Sequence, residues 1–110
     1  MLERFKVPVS EQVYVAEEAL RHTSTAIFEK VGLSRIDAME SSDVLVTADL
    51  RGVESHGVSN MLRRYVELFQ DGALNPVGKL MIVSDTPSSA TLDADRALGI
   101  TVGRRAMEIA

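Results

Sequence analysis

The side chains of this sequence best suited to chemistry are gathered in one run, Ala48-Asp49-Leu50-Arg51-Gly52-Val53-Glu54-Ser55-His56-Gly57-Val58, and in Ser59-Asn60-Met61-Leu62-Arg63-Arg64-Tyr65 directly after it. Imidazole is the side chain that both takes and gives a proton near neutral pH, so His56 is the candidate general acid/base. Ser55 beside it could relay that proton or orient a substrate, and Gly52 and Gly57 bracket the pair with backbone freedom. Arg51, Arg63 and Arg64 lie close in sequence, and a guanidinium fork holds a carboxylate through two parallel hydrogen bonds. Tyr65 adds a phenol able to donate to an anionic oxygen. Such groups suit proton transfer at a small oxo- or hydroxy-acid. A purely structural elbow is equally compatible with them, because a Ser-His pair near arginines arises readily by chance. A Ser55 nucleophile would need a base in a geometry that adjacent side chains rarely reach, and no orienting acid is identifiable.

Other polar features carry less. His22 lies among charged residues and reads as a solvated surface histidine. Asp93 and Asp95 form an Asp-x-Asp pair with no further ligand run, so a turn that ends a strand is expected there and no metal site. There is no Gly-x-Gly-x-x-Gly, phosphate loop, zinc spacing or internal repeat. Cysteine is absent, which excludes disulfides and thiol nucleophiles. The net charge of -4, without a block of Lys and Arg, argues against nucleic acid as a partner. No apolar stretch approaches the ~20 residues of a membrane span and the amino terminus does not resemble a signal sequence, so a cytoplasmic protein is expected. With 45% hydrophobic residues in 110, one domain with a single modest core of Val, Leu, Ile, Met and Ala is allowed.

The elements that must position the elbow are mostly helical. A first helix is expected from an N-cap at Ser10 to Gly32, with Val13, Ala16, Leu20, Ile27 and Val31 on one face and Glu17, Arg21, Thr25 and Glu29 elsewhere. A second should start at Ser34, with Asp37 reaching back as in a capping box. Its apparent apolar stripe, Ile36, Met39, Val46 and Leu50, also contains Asp43, which is expected at the stripe's edge; Arg35 is a candidate partner for it. Val44 to Thr47 could also pass for a short strand. Val58, Met61, Leu62, Tyr65, Val66 and Phe69 give the clearest helical stripe, ended by Asp71-Gly72 and Asn75-Pro76. From Lys79 the pattern changes. Leu80–Ser84 and Ala90–Asp93 read as strands of a hairpin, and a last helix from near Asp95 carries Leu98, Ile100, Val102, Ala106, Met107 and Ile109. The fold class is therefore α+β: a three-helix layer over 1–76, then a strand pair and a further helix opening a sheet layer over 77–110. The last helix has no capping residue and an apolar face without an evident partner, so the chain is expected to be the amino-terminal part of something longer.

The Ala48–Val58 run, Arg64-Tyr65-Val66, Gly72-Ala73-Leu74-Asn75-Pro76 and Leu92-Asp93-Ala94-Asp95 before Leu98-Gly99 together resemble the malate/L-lactate dehydrogenase family, in order from about Val9 to the final residue. This family is distinct from the Rossmann-fold lactate and malate dehydrogenases. The resemblance implies a non-Rossmann fold, α/β in the complete enzyme, with NAD or NADP as cofactor, a small 2-oxo- or 2-hydroxyacid as substrate, and a homodimer with active sites between subunits. It further implies that His56 is the acid/base at the substrate oxygen, with Ser55 as its neighbouring hydroxyl and Tyr65 as the tyrosine after the elbow. Two features depart from the family pattern. Asn60 stands where many members carry a carboxylate-binding arginine, and Arg64-Tyr65 lie one residue further on, a rotation of about 100° on a helix. Arg63 or Arg64 is then expected to bind the carboxylate.

The expectation is thus the amino-terminal portion of a dehydrogenase, with little activity as 110 residues alone. The rival from another class is a non-catalytic helical interaction module that associates through an exposed Val58–Phe69 stripe. Weaker still is a hydrolase using Ser55.

Overall fold

Val13-Tyr14-Val15 is a β-branched and aromatic run, and such residues favour extended backbone. In the computed structural model, which describes residues 3–110, they belong to an outlying arm rather than to the first helix. Gln12 and Ala16 are both extended, and α1 spans Glu17–Lys30. The expected start at Ser10 is therefore corrected: Ser10 falls in a short 3₁₀ turn, Val9–Glu11, and helical structure waits until Glu17 and Glu18 complement the dipole of the first turn. The arm's outer side is bare, with Tyr14 92% exposed.

Ser34 caps α2, Arg35–Leu50, by accepting a hydrogen bond from the Asp37 amide at 3.2 Å, while its hydroxyl donates to Asp37 Oδ2 at 2.7 Å. The capping reading holds, and Val44 to Thr47 are helical. Of the expected stripe only Val46 is buried. Ile36 is 70% and Leu50 61% exposed, and the buried face is Ala38, Ser41, Ser42, Leu45 and Val46. These positions recur at intervals of three and four, as one side of a helix must. Small side chains let α2 lie closely on α1, whose buried residues are Ser24, Thr25 and Phe28; Thr25 thus lies inward, contrary to expectation. Asp43 is exposed and pairs with Arg21 of α1, which also binds Glu17 at 2.8 Å, whereas Arg35 pairs with Glu29 at 2.9 Å.

α3, Val58–Gln70, turns its apolar stripe inward: Phe69 is buried, and Val58, Met61, Leu62 and Tyr65 pack against a core of Phe28, Leu33, Ala38, Leu45, Phe69 and Leu98. The inward turn of this stripe does not favour an association surface built on Val58–Phe69. Strands β1, Met81–Thr86, and β2, Ser89–Asp93, pair antiparallel through a two-residue turn, with a register irregularity between Ile82 and Ser84. Nearly every hairpin residue is exposed. Its base is fastened by the Asn75 amide to the Arg96 carbonyl at 2.9 Å, Asn75 Nδ2 to Asp95 Oδ2 at 3.1 Å and Arg96 Nη1 to the Gly72 carbonyl at 3.1 Å. Asp95 and Arg96 have positive φ there, so α4 starts at Gly99 rather than near Asp95 and runs to Ile109. It packs on α2, with Arg104 reaching Glu40 at 3.0 Å. The α+β class stands, with four α-helices and one strand pair among the described residues.

Candidate functional site

α2 ends at Leu50, and Gly52 takes φ +74°, a left-handed conformation that glycine adopts without strain. The chain then makes one 3₁₀ turn, Glu54–His56, and enters α3 through Gly57. Within that turn Ser55 Oγ lies 2.9 Å from His56 Nδ1. The ring is exposed, and no hydrogen bond among the described residues engages its Nε2. The two positions predicted to act together are thus in contact. Two surface grooves of about 540 and 570 Å³ flank Glu54 and run under the arm, but neither is lined by His56.

The other expected site residues sit further along α3. Arg63 is exposed and bound to Glu67 at 2.9 Å. Arg64 is exposed and makes no ion pair among the described residues. Tyr65 is half-buried against the core, and that burial raises its phenol above the ordinary pKa. None of the three makes a hydrogen bond to His56 or Ser55 among the described residues. Asn60 is engaged elsewhere: its Nδ2 donates to the Glu54 carbonyl at 2.7 Å.

Two further residues support the elbow and were not read as site residues in the sequence. Glu54 Oε2 accepts from the Val7 amide at 3.2 Å and so holds the arm. Asp49 Oδ2 accepts from the Val58 amide at 2.8 Å, capping α3 from the last turn of α2. The signal for Asp49 was present, because it continues the series Ala38, Ser41, Ser42, Leu45 and Val46 by three residues. It was obscured because small and polar residues do not register as a buried stripe.

Asp93 and Asp95 form the expected turn, with the Asp95 amide donating to Asp93 Oδ1 at 2.8 Å. Among the described residues no cluster of three His, Cys, Asp or Glu could hold a metal. His22 is exposed on α1.

A sequence profile described as malate/L-lactate dehydrogenase matches residues 15–110. Malate dehydrogenase of Pyrococcus horikoshii is 40% identical over 107 residues, covering 91% of this chain and 29% of that protein. Hydroxycarboxylate dehydrogenase B of Escherichia coli O157:H7 is 33% identical over 84 residues, covering 76% of this chain and 23% of its own length. Among solved structures, sulfolactate dehydrogenase of Methanocaldococcus jannaschii superposes with a TM-score of 0.83 at 34% identity, over 89% of this chain and 28% of that one. The chain therefore spans less than a third of the relatives it matches.

Proposed function

The chain belongs to the malate/L-lactate dehydrogenase family, and from that membership we propose that it is the amino-terminal part of a longer oxidoreductase. The enzyme moves a hydride between NAD or NADP and a small 2-hydroxyacid or 2-oxoacid such as malate or lactate. The chain acts as one unit, with helices α1 to α3 before residue 77 and a strand pair and α4 over 77–110. A homodimer and a cytoplasmic location belong to the same reading. No helix among the described residues is long and apolar enough to cross a membrane.

The observation that carries the proposal is the Ser55–His56 contact on an elbow whose outer ring nitrogen is open. Oxidation of a hydroxyacid releases a hydride from carbon and a proton from oxygen. A bound nicotinamide would supply the acceptor for the first, and His56 Nε2 takes the second. For Nε2 to present a lone pair, the ring's proton must lie on Nδ1, where it is donated to Ser55 Oγ. In the reverse direction the imidazolium, protonated on both nitrogens and still donating Nδ1–H to Ser55 Oγ, returns its Nε2 proton to the substrate oxygen. Ser55 Oγ thus accepts from Nδ1–H in both directions and steadies the imidazolium when it forms. The substrate carboxylate falls to Arg64 or Arg63, with Tyr65 nearby on the same helix; Arg64 is the less encumbered, since Arg63 already binds Glu67.

The elbow does not suit the dinucleotide's pyrophosphate. The amide at the start of α3, where an anion would dock, is already taken by the Asp49 carboxylate. These residues therefore serve the proton, and nothing in the acid/base scheme depends on how the cofactor is held.

In the intact enzyme, His56→Ala should lower kcat by about 10²–10⁴-fold, the usual contribution of a positioned acid/base, with circular dichroism and sedimentation unchanged. Wild-type turnover in that variant would refute the assignment. The 110-residue chain alone should show little oxidation of NAD(P)H with a 2-oxoacid, and robust activity there would contradict the partial-site reading.

A further inference from the structure

Two side chains grip the backbone on either side of the Ser55-His56 pair, and among the described residues neither hydrogen-bonds to the imidazole. On the near side Asn60 Nδ2 donates to the Glu54 carbonyl at 2.7 Å. On the far side Asp49 Oδ2 accepts from the Val58 amide at 2.8 Å. Between them lie only Ser55, His56 and Gly57. A three-residue 3₁₀ turn has too few internal hydrogen bonds to hold its own orientation, so its direction is set by what fixes its ends. Here α2 fixes one end through a carboxylate and the first turn of α3 fixes the other through an amide.

Gly57 shows how close the Asp49 contact is. Its backbone, at φ -86°, is open to any residue, so conformational freedom does not require glycine here. Space does: a Cβ at this position would lie 1.6 Å from Asp49 Oδ1 and 2.3 Å from its Cγ. A methyl group can be accommodated only by moving the carboxylate off Val58. The bond itself is charge-assisted and sits at the positive end of the α3 dipole, which strengthens it.

We propose that Asp49 and Asn60 are positioning residues that clamp the elbow and aim His56 at the substrate oxygen. The proposal rests on the reading of His56 as acid/base. It gives Asn60 a role other than binding the substrate carboxylate, because its donor is spent on the Glu54 carbonyl. It also explains why the shortest side chain stands directly after the histidine.

The test uses the intact enzyme with Asp49→Ala, Asp49→Asn, Gly57→Ala and Asn60→Ala. A displacement of about 1 Å at a reacting group can cost about 10²-fold. Asp49→Ala, Gly57→Ala and Asn60→Ala should each lower kcat per folded molecule about 10–100-fold with KM within about threefold. Asp49→Asn, which keeps an acceptor oxygen, should recover most of that loss. The ¹⁵N resonances of the His56 ring should shift in the three damaging variants and return in Asp49→Asn, while those of His22, the other histidine, stay in place. A merely structural role would lower stability and folded fraction but leave kcat per folded molecule and the His56 ring signals as in the wild type. Either of those two results overturns the clamp. Should Asp49→Ala fail to fold, Asn60→Ala, which leaves the α3 cap intact, must meet the same requirements. If the wild-type enzyme transfers no hydride, the functional reading fails and the ring signals alone decide whether the clamp exists.

Discussion

His56 and Ser55 are neighbours in sequence, yet adjacency alone does not bring their polar atoms together. The 3₁₀ turn does, at 2.9 Å. Tyr65 offers a separate handle at this scale. Burial raises its pKa, so folding favours the neutral phenol. The associated stability is complete below the unfolded-chain value of about 10 and is lost as pH rises through the raised folded value. Urea midpoints should therefore fall at alkaline pH more steeply for the wild type than for Tyr65→Phe, and equal slopes would show that folding leaves the phenol's pKa unmoved. Chemistry-bearing residues were legible from type alone: His56, Ser55 and the arginines announce themselves. Asn60 and Asp49 were not, because their roles depend on which backbone groups come within reach.

At the scale of elements, two serines of the same region make opposite predictions. Ser34 caps α2, and Ser34→Ala should cost about 1 kcal/mol, read as a lowered melting temperature. Ser41 is fully buried, and among the described residues its hydroxyl has no partner. Ser41→Ala removes an unpartnered polar group at little change in volume, so it should leave stability unchanged or raise it by about 1 kcal/mol. A loss comparable to that of Ser34→Ala would reveal a hidden partner. The cap was readable because it is a local arrangement of three residues. The buried face was not, since Ile36 and Leu50 look like core and Ser41 and Ser42 do not. Which face turns inward is decided by the neighbour, and α1 approaches on the small side.

Across the whole molecule, stability is concentrated in the helices. The core is small, and Phe28 is fully buried within it. Phe28→Ala should cost about 3–5 kcal/mol, much of the ~5–15 kcal/mol typical of a domain. The hairpin is nearly all exposed in a molecule that measures 53 × 30 × 25 Å. Its amides should exchange with solvent well before those of α1 and α2, and equal protection would mean that something covers it. Element order, the α2 cap, the inward face of α3, the hairpin turn and the family all follow from the order of residues, because each is written in local periodicity or in short motifs. The late start of α1, the rotated buried face of α2, the Arg21–Asp43 pairing and the grip of Asp49 and Asn60 on the elbow came only with the tertiary structure. They depend on contacts between residues far apart in the chain or on backbone groups, and neither leaves a pattern in the sequence of side chains.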